Sequence, residues 1–203
     1  MVNKEENKQR FISILQSINR DGMDKVINYL LTKGFFEAPA STVFHLNEPG
    51  GLAEHSLNVY DMAMMLDESL CQRKPELKDQ VSNESLAICS LLHDICKTDI
   101  YRQVVKKRKN DNGVWEDYDG YETNYSNFPM GHGEKSVIML LSLGFKLTRE
   151  EMLAIRWHMG PWEINFNSYE QKSSFNAARD INPLVSIIQS ADGLASNIIE
   201  GNN

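Results

Sequence analysis

The chain has 203 residues, of which 41% are hydrophobic and 24% are charged, with 12 glycines and 6 prolines. This composition is typical of a folded globular domain and argues against a disordered, collagen-like or low-complexity protein. Lys and Arg total 21 and Asp and Glu total 28, so the formal net charge is −7. A protein that binds polyanions in general carries the opposite sign of charge.

The length fits a single domain with a substantial core. The first residues, MVNKEENKQR, are polar, and no apolar run reaches the roughly 20 residues that span a bilayer. The cysteines are odd in number and lack the C-x-x-C spacing of thiolate zinc sites; they are Cys71, Cys89 and Cys96. We therefore expect a cytoplasmic protein with reduced, mostly buried thiols and no membrane partner.

Apolar residues recur at helical spacing in most segments, which predicts an all-α protein. The helices predicted in the first half are one containing Phe11 to Ile18, one from an N-cap at Asp21 to Gly34, a long one over residues 52–70, and one beginning at Ser82 or Asn83. The last of these is apolar on nearly every side. We expect it to be central and buried.

A β-hairpin is predicted over residues 101–122, where the helical pattern stops. Asn112-Gly113 is a typical two-residue hairpin turn. A turn at these two residues places opposite charges across the strands, in the pairs Lys109–Glu116, Arg108–Asp117 and Lys106–Asp119.

Helical periodicity returns after the hairpin. The remaining predicted helices span about residues 134–143, the segment from a Thr148–Glu151 capping box to Gly160, and the segment from an Asn182 cap through Ile199. The sequence thus predicts one domain over residues 1–203. This domain is helical, with the one hairpin inserted between its helices.

His93 and Asp94 are adjacent in the helix that we expect to be buried. Burying a carboxylate costs several kcal/mol unless a cation or hydrogen bonds compensate it. A metal ion provides that compensation, because adjacent helical side chains point about 100° apart and both reach one ion. Lys97 lies on the same side and is a candidate phosphate contact, or else an ion-pair partner of Asp94 or Asp99.

Asp192 is a second carboxylate that we expect to be buried, because it lies among apolar and small residues in the last helix. His55 lies near the start of the long helix, and Asn58, one turn on, is a candidate partner for its ring. Nitrogen and oxygen ligands of this kind suit Mn, Fe, Zn or Ni, and the candidate set is His55, His93, Asp94 and Asp192.

The order of these four residues resembles the H…HD…D signature of the HD-domain superfamily of metal-dependent phosphohydrolases. The segments GGLAEHSL at 50–57 and LLHDICK at 91–97 are similar to the corresponding segments of that family. The resemblance covers about residues 45–199 and implies that this range is the metal-binding core, on which the helices in residues 1–44 pack. It implies an HD-type helical bundle that binds a divalent metal.

His132 and His158 fit a subset of that superfamily with the order H…HD…H…H…D. The resemblance to this subset implies two ions, one on His55, His93, Asp94 and Asp192, the other on Asp94, His132 and His158. The alternative is one ion, with His132 and His158 lining the pocket as acid, base or phosphate contacts. The sequence does not distinguish among Mn, Fe, Ni, Zn and Mg.

Two residues near these motifs have other interpretations. His45 has no counterpart in the family pattern, and we assign it a structural role. Cys96 stands where family members often have Gly. On a continued helix its side chain points about 200° from Asp94, so we expect it to face away from the metal.

The resemblance implies a phosphohydrolase that cleaves a phosphate ester, of a nucleotide or a related small molecule, with metal-activated water. The residues with expected catalytic roles are Asp94, Lys97, His132 and His158. One alternative is a mixed-valent di-iron oxygenase. Some HD-fold proteins with the same order of ligands have this activity. A further alternative is a nucleotide-binding module without turnover.

A nucleic-acid substrate is a weaker alternative. The basic run Lys106–Lys109 has tyrosines and Trp115 nearby, but acidic residues on the facing strand can pair with it. We therefore favour a small substrate, for which the hairpin is a candidate lid and Trp157 and Trp162 are candidate stacking residues. A homodimer is the most common assembly of soluble proteins.

Overall fold

The computed structural model describes residues 3–201. The helices are α1 (Lys4–Gln16), α2 (Met23–Thr32), α3 (Gly51–Arg73), α4 (Asn83–Leu92), α5 (Lys97–Ile100), α6 (His132–Ser142), α7 (Arg149–Arg156), α8 (Tyr169–Ile181) and α9 (Pro183–Leu194). The strands β1 (Tyr101–Lys109) and β2 (Trp115–Thr123) form one antiparallel hairpin between α5 and α6. The prediction of a helical protein with one inserted hairpin is confirmed.

The core is built around α4, as its apolar sequence predicts. Helices α3, α4 and α9 contact one another, and α7 packs against both α4 and α9. Every side chain from Leu86 to Leu92 on α4 is buried, and α1 covers one side of this layer. A helix that is apolar on all sides is stable only in such a position, where it contacts other helices all around.

The start of α2 differs from the prediction. Its N-cap is Gly22, with φ +90°, and Asp21 instead forms an ion pair with Lys146 at 2.9 Å. A β-carbon on Gly22 would lie 2.6 Å from the carbonyl oxygen of Gly144. Close backbone contact and the left-handed conformation together select glycine here over a side-chain cap.

The predicted helix ends are correct where a side-chain cap defines them. Thr148 and Glu151 form the predicted capping box, and Asn182 caps α9 by accepting from Leu184 N at 2.8 Å. The helix predicted to end at Gly160 ends earlier, at Arg156. Helix α8 was not predicted, because only Phe175 and Ala178 of its side chains are buried.

The hairpin has a longer turn than the predicted two residues. Lys109 pairs with Trp115, because Gly113 N donates to Asn110 O at 2.9 Å and Gly113 adopts φ +75°. The Asn110 side chain stabilises this turn by accepting from two backbone amides, those of Asn112 and Val114. The register is therefore one residue away from the prediction.

Opposite charges still meet across the hairpin in the observed register. Arg108 Nε lies 2.7 Å from Glu116 Oε1, and Lys107 Nζ lies 4.0 Å from Asp117 Oδ1. Most residues of both strands are exposed or half-buried. These contacts favour the interpretation of the basic run as part of a solvated hairpin.

A buried ion pair joins the first part of the chain to α7. The Glu151 side chain is fully buried and accepts from Arg20 Nη1 at 2.5 Å and from Ser85 Oγ at 2.8 Å. Arg20 also pairs with Glu84 at the start of α4. One guanidinium therefore connects three segments, and Glu151 depends on it for charge compensation.

No helix within residues 3–201 combines the length and apolar character needed to cross a membrane.

Candidate metal centre

The structure brings the six predicted metal-site residues together at one end of the core. Two of them lie within helices α3 and α9, one is the first residue of α6, and the others lie in the turns that follow α4 and α7. In chain order they are His55, His93, Asp94, His132, His158 and Asp192. Each of the five segments that meet here therefore contributes at least one side chain.

Asp94 lies at the centre of the group, and its two carboxylate oxygens face different imidazoles. Its Oδ1 contacts His132 Nε2 and lies 3.5 Å from His158 Nε2. Its Oδ2 lies 3.3 Å from His93 Nε2 and 3.7 Å from His55 Nε2. The carboxylate thus stands between two pairs of nitrogen donors.

Asp192 completes the group from α9. Its Oδ1 lies 3.3 Å from His55 Nε2, and its side chain is close enough to His93 and His158 to share an ion with them. Ser196, one turn on, donates from Oγ to Asp192 Oδ1 at 3.2 Å and thereby orients the carboxylate.

Two imidazoles are held by backbone carbonyls. His93 Nδ1 donates to Ser90 O at 2.8 Å, and His158 Nδ1 donates to Ile155 O at 2.7 Å. A carbonyl only accepts, so each Nδ1 carries a proton and each Nε2 points into the group. This arrangement is common for histidines that bind metals.

The group has the properties expected of a metal site. His158 Nε2 is buried and has no hydrogen-bond partner among residues 3–201. Buried polar atoms are normally paired, and a bound ion is one such partner. Mixed nitrogen and carboxylate donors suit divalent transition metals. The buried His and Asp residues could therefore hold a divalent ion, and they fit it chemically.

A close backbone contact sets the spacing between His132 and His158. Gly133, at the start of α6, packs against the end of α7, and a β-carbon there would lie 2.2 Å from the carbonyl oxygen of Arg156. Only a residue without a side chain allows this approach. The contact places the first turn of α6 beside the turn that carries His158.

The charge of the Asp94 carboxylate is strongly stabilised. Burial alone would raise the pKa of Asp94, but Lys97, His93 and His132 outweigh it and hold the pKa well below its ordinary value. Asp192 behaves similarly, since its hydrogen bond with His55 lowers its pKa against the effect of burial. Both carboxylates are therefore ionised and available as ligands at neutral pH.

Lys97 pairs with Asp94, one of the three partners that the sequence suggested. Its Nζ lies 2.5 Å from Asp94 Oδ2, whereas Asp99 pairs with Lys135. Burial would lower the pKa of Lys97, but Asp94 raises it above its ordinary value. Lys97 also lines the cavity described below, so a charged ammonium faces that space.

Glu200 is a part of the site that the sequence analysis missed. Its carboxylate oxygens lie 3.0 and 3.1 Å from His55 Nδ1, and its Oε1 accepts from Asn58 Nδ2 at 2.9 Å. Asn58 therefore reaches His55 through Glu200 and not directly. Burial would raise the pKa of Glu200, but the hydrogen bond with His55 lowers it overall.

Cys96 and His45 each lie beside a histidine of the site. His45 lies beside His55, with ring centroids 5.2 Å apart. Cys96 Sγ is 3.7 Å from His132 Nδ1, whereas His132 contacts Asp94 through its other ring nitrogen, Nε2. Cys96 therefore lies on the side of the His132 ring that is opposite Asp94, and the expectation that its side chain faces away from the metal stays a prediction.

A cavity of about 870 Å³ opens over the group. Asp94, Lys97 and the candidate ligand histidines other than His93 line it, and Tyr101 is its one lining residue from the hairpin within the described chain. Phe44 and Trp162 also line it and are 78% and 89% exposed, which places them at the rim. The volume is that of a small-molecule site.

A protein-family model described as the HD domain matches residues 52–197, well over half of the chain. The chain belongs to the HD domain family. The matched range spans all six predicted site residues, from His55 to Asp192. No curated protein and no solved structure matches the chain significantly. HD domains are mostly metal-dependent hydrolases, which agrees with the donor set found here.

Metal affinity should increase with pH in this HD domain. Burial would lower the pKa of His55, but hydrogen bonds to Asp192 and Glu200 raise it from 6.5 to about 9. A metal that binds His55 through Nε2 must displace the proton there, so with His55 as a ligand we expect Zn²⁺ affinity to increase about tenfold or more per pH unit below 9. Competition with a chelator at pH 6, 7 and 8 measures this slope.

The raised pKa of His55 also makes the stability of the metal-free protein depend on pH, and this stability decreases as pH rises. A raised folded-state pKa stabilises the fold fully below pH 6.5, and that stabilisation is lost as pH rises toward 9. The loss from this one group amounts to about 3 kcal/mol. Equal Zn²⁺ affinities at pH 6 and pH 8 would contradict the assignment of His55 as a ligand from which the metal displaces a proton.

Proposed function

We propose that the protein is a metal-dependent phosphohydrolase that cleaves a phosphate ester of a nucleotide or a related small molecule. The observation that carries this proposal is the position of Asp94. Its two oxygens face separate imidazole pairs, and the cavity above it also contains the ammonium of Lys97. Family membership supports the general class of activity.

The proposed ligands form two sets that share Asp94. One set is His55, His93, Asp94 and Asp192, and the other is Asp94, His132 and His158. Divalent ions bound there supply Lewis-acid stabilisation of phosphoryl oxygens and lower the pKa of bound water. The opposed faces of the Asp94 carboxylate support two ions over one. Metal content per chain, measured after loading, tests this number directly.

The chain's own residues supply the remaining chemistry. Lys97 is held by Asp94 and faces the cavity, where its charge stabilises negative charge that develops on a phosphoryl oxygen. His132 is partly exposed to the cavity, and its ring is oriented by Asp94 and Cys96. If only one ion binds, His132 or His158 serves as the proton donor to the leaving group.

The cavity rim supports a substrate with an aromatic base. Large aromatic side chains that are mostly exposed at the rim of a cavity offer stacking surfaces, and Phe44 and Trp162 are both of this kind. Gln189 and Asn197 line the same cavity and carry amides that can pair with polar edges of a base. Trp157, the other predicted stacking residue, is buried against Phe175 instead.

The test is product formation from a panel of substrates by the Mn²⁺-loaded protein, followed by chromatography of the nucleotide products together with phosphate release. The panel contains nucleoside mono-, di- and triphosphates, cyclic nucleotides, short oligoribonucleotides and simple sugar phosphates. We expect turnover of at least one nucleotide, and comparing monoesters with cyclic diesters identifies the type of bond cleaved. Turnover confined to sugar phosphates would contradict the nucleotide assignment, and silence across the panel with metal bound would contradict hydrolysis.

A di-iron oxygenase is the second candidate, since the donor set of imidazoles and carboxylates suits iron as well as Mn or Zn. Anaerobic preparations loaded with iron distinguish it by oxygen consumption and a mixed-valent electron paramagnetic resonance signal. The remaining alternative is a nucleotide-binding module without turnover. It predicts that a nucleotide of the panel binds and that no product forms.

A further inference from the structure

The segment after α9 departs from regular α-helix next to the metal centre. Residues Ala195–Ile199 form a π-helical turn, closed by a hydrogen bond from Glu200 N to Ala195 O at 2.9 Å. In a regular α-helix, Glu200 would be rotated by about 80° from Asp192. The wider turn rotates less per residue, and both carboxylates contact the same His55 ring.

Glu200 and Asp192 contact opposite nitrogens of that ring. Asp192 Oδ1 lies 3.3 Å from Nε2, and Glu200 lies 3.0 Å from Nδ1. The Glu200 side chain is buried and is itself oriented by Asn58 from the same helix as His55. An ionised carboxylate accepts hydrogen bonds only, so Nδ1 of His55 carries a proton wherever this contact is made.

We propose that Glu200 is a positioning residue for His55. It fixes the ring with the proton on Nδ1, so that Nε2 points toward Asp94 and Asp192 and is the nitrogen that binds metal. Carboxylates that hold metal-binding histidines in this way typically change metal affinity by 10–100-fold. The inference rests on the proposed metal site, whereas the hydrogen bond itself does not require an ion.

The π-helical turn orients two of the proposed ligands together. Ser196, on the same turn, donates to Asp192 Oδ1 at 3.2 Å, while Glu200 at its end accepts from His55. Ordering one turn of backbone thus orients one ligand on α3 and another on α9. A regular helix would retain the Ser196 contact, which spans four residues, but would not bring Glu200 to His55.

A competing role for Glu200 is that of a direct ligand. His45 Nε2 is buried without a hydrogen-bond partner in residues 3–201 and lies 3.8 Å from Glu200 Oε2. These two residues and His55 are close enough to share an ion. However, His55 would have to lose its Nδ1 proton to join such a site, which the contact with Glu200 opposes.

The first experiment measures Zn²⁺ affinity of the full chain by chelator competition. For Glu200→Ala we expect affinity to fall about 10–100-fold, and for Glu200→Gln we expect a smaller fall because the amide oxygen still accepts from Nδ1. Glu170→Ala, which removes an exposed carboxylate on α8, is the matched control and should leave the affinity unchanged. His45→Ala should also bind normally.

The second experiment observes the His55 Nδ1 proton directly in the metal-free protein. A buried, hydrogen-bonded imidazole proton exchanges slowly and gives a downfield NMR signal, which we expect in the wild type and in Glu200→Gln. We expect it to be lost in Glu200→Ala, although circular dichroism still shows a folded chain. A general packing defect would not separate the Gln variant from the Ala variant in this way.

Two results would overturn the proposal. One is wild-type Zn²⁺ affinity in Glu200→Ala together with a retained Nδ1 signal. The other is a loss of affinity in His45→Ala as large as that in Glu200→Ala, which would make Glu200 a ligand. If the wild type binds no metal, the proposed function fails, and the proton signal alone still decides whether Glu200 positions His55.

Discussion

Asp94→Ala is expected to remove both metal binding and turnover, with activity reduced by at least about 10³-fold. Both carboxylate oxygens contact imidazole donors, so this one side chain belongs to both proposed ligand sets. Its loss also leaves the buried ammonium of Lys97 without its partner. No neighbouring carboxylate lies between the same four histidines within the described chain.

Asp94→Asn separates the ligand role from packing. The amide keeps the size of the side chain and one oxygen for Lys97, but it loses the charge and one of the two oxygens. We expect it to fold, to bind less than one ion per chain, and to be as inactive as the Ala variant. Asp180→Ala, which removes an exposed carboxylate on α8, serves as the control.

Metal content by mass spectrometry, far-UV circular dichroism and turnover on the best panel substrate are measured on the same preparations. An Asp94→Ala protein that retains a full complement of metal and metal-dependent activity would refute the assignment of Asp94 as the shared ligand. A variant that binds metal normally but does not turn over would restrict Asp94 to a catalytic role.

Arg20→Ala is expected to lower the free energy of unfolding by about 3–5 kcal/mol, because it leaves the Glu151 carboxylate buried without a cation. Ser85 and Thr148 still donate to that carboxylate, but they do not neutralise its charge. Glu84 loses a partner as well, although it is far more exposed. This loss is large relative to the typical stability of a domain of 5–15 kcal/mol.

Arg10→Ala provides the matched control on the surface. Arg10 pairs with Asp61 through both Nη atoms, at 2.9 and 2.5 Å, but both side chains are nearly half exposed. Exposed ion pairs contribute about 0–1 kcal/mol. Urea unfolding of the metal-free proteins measures both variants, and equal effects would show that burial of Glu151 is not the source of the stability.

The six residues of the candidate site could be proposed from sequence because each has a local signal. A carboxylate in an apolar helix, as at Asp94 and Asp192, is anomalous on its own, and the histidines follow a known order. Glu200 and Cys96 lacked such a signal. Their positions depend on a π-helical turn and on the end of α4, and helical periodicity alone predicts neither.

The hairpin shows a different limit of prediction. Its charges alternate so regularly that pairing of opposite signs is satisfied in two neighbouring registers, so charge did not select between them. The turn selects the register, because backbone amides donate to the Asn110 side chain and Gly113 adopts a left-handed conformation. Burial could not correct the error, because the strands have little buried surface.

The contact between Gly133 and the Arg156 carbonyl has a consequence for protein engineering. The distance between two proposed ligands is set by a position where no side chain fits, so libraries that randomise residue 133 will consist mainly of inactive clones. The rim residues Phe44 and Trp162 are mostly exposed and lie outside the ligand group. Directed evolution of substrate preference should therefore keep residue 133 as glycine and diversify the rim.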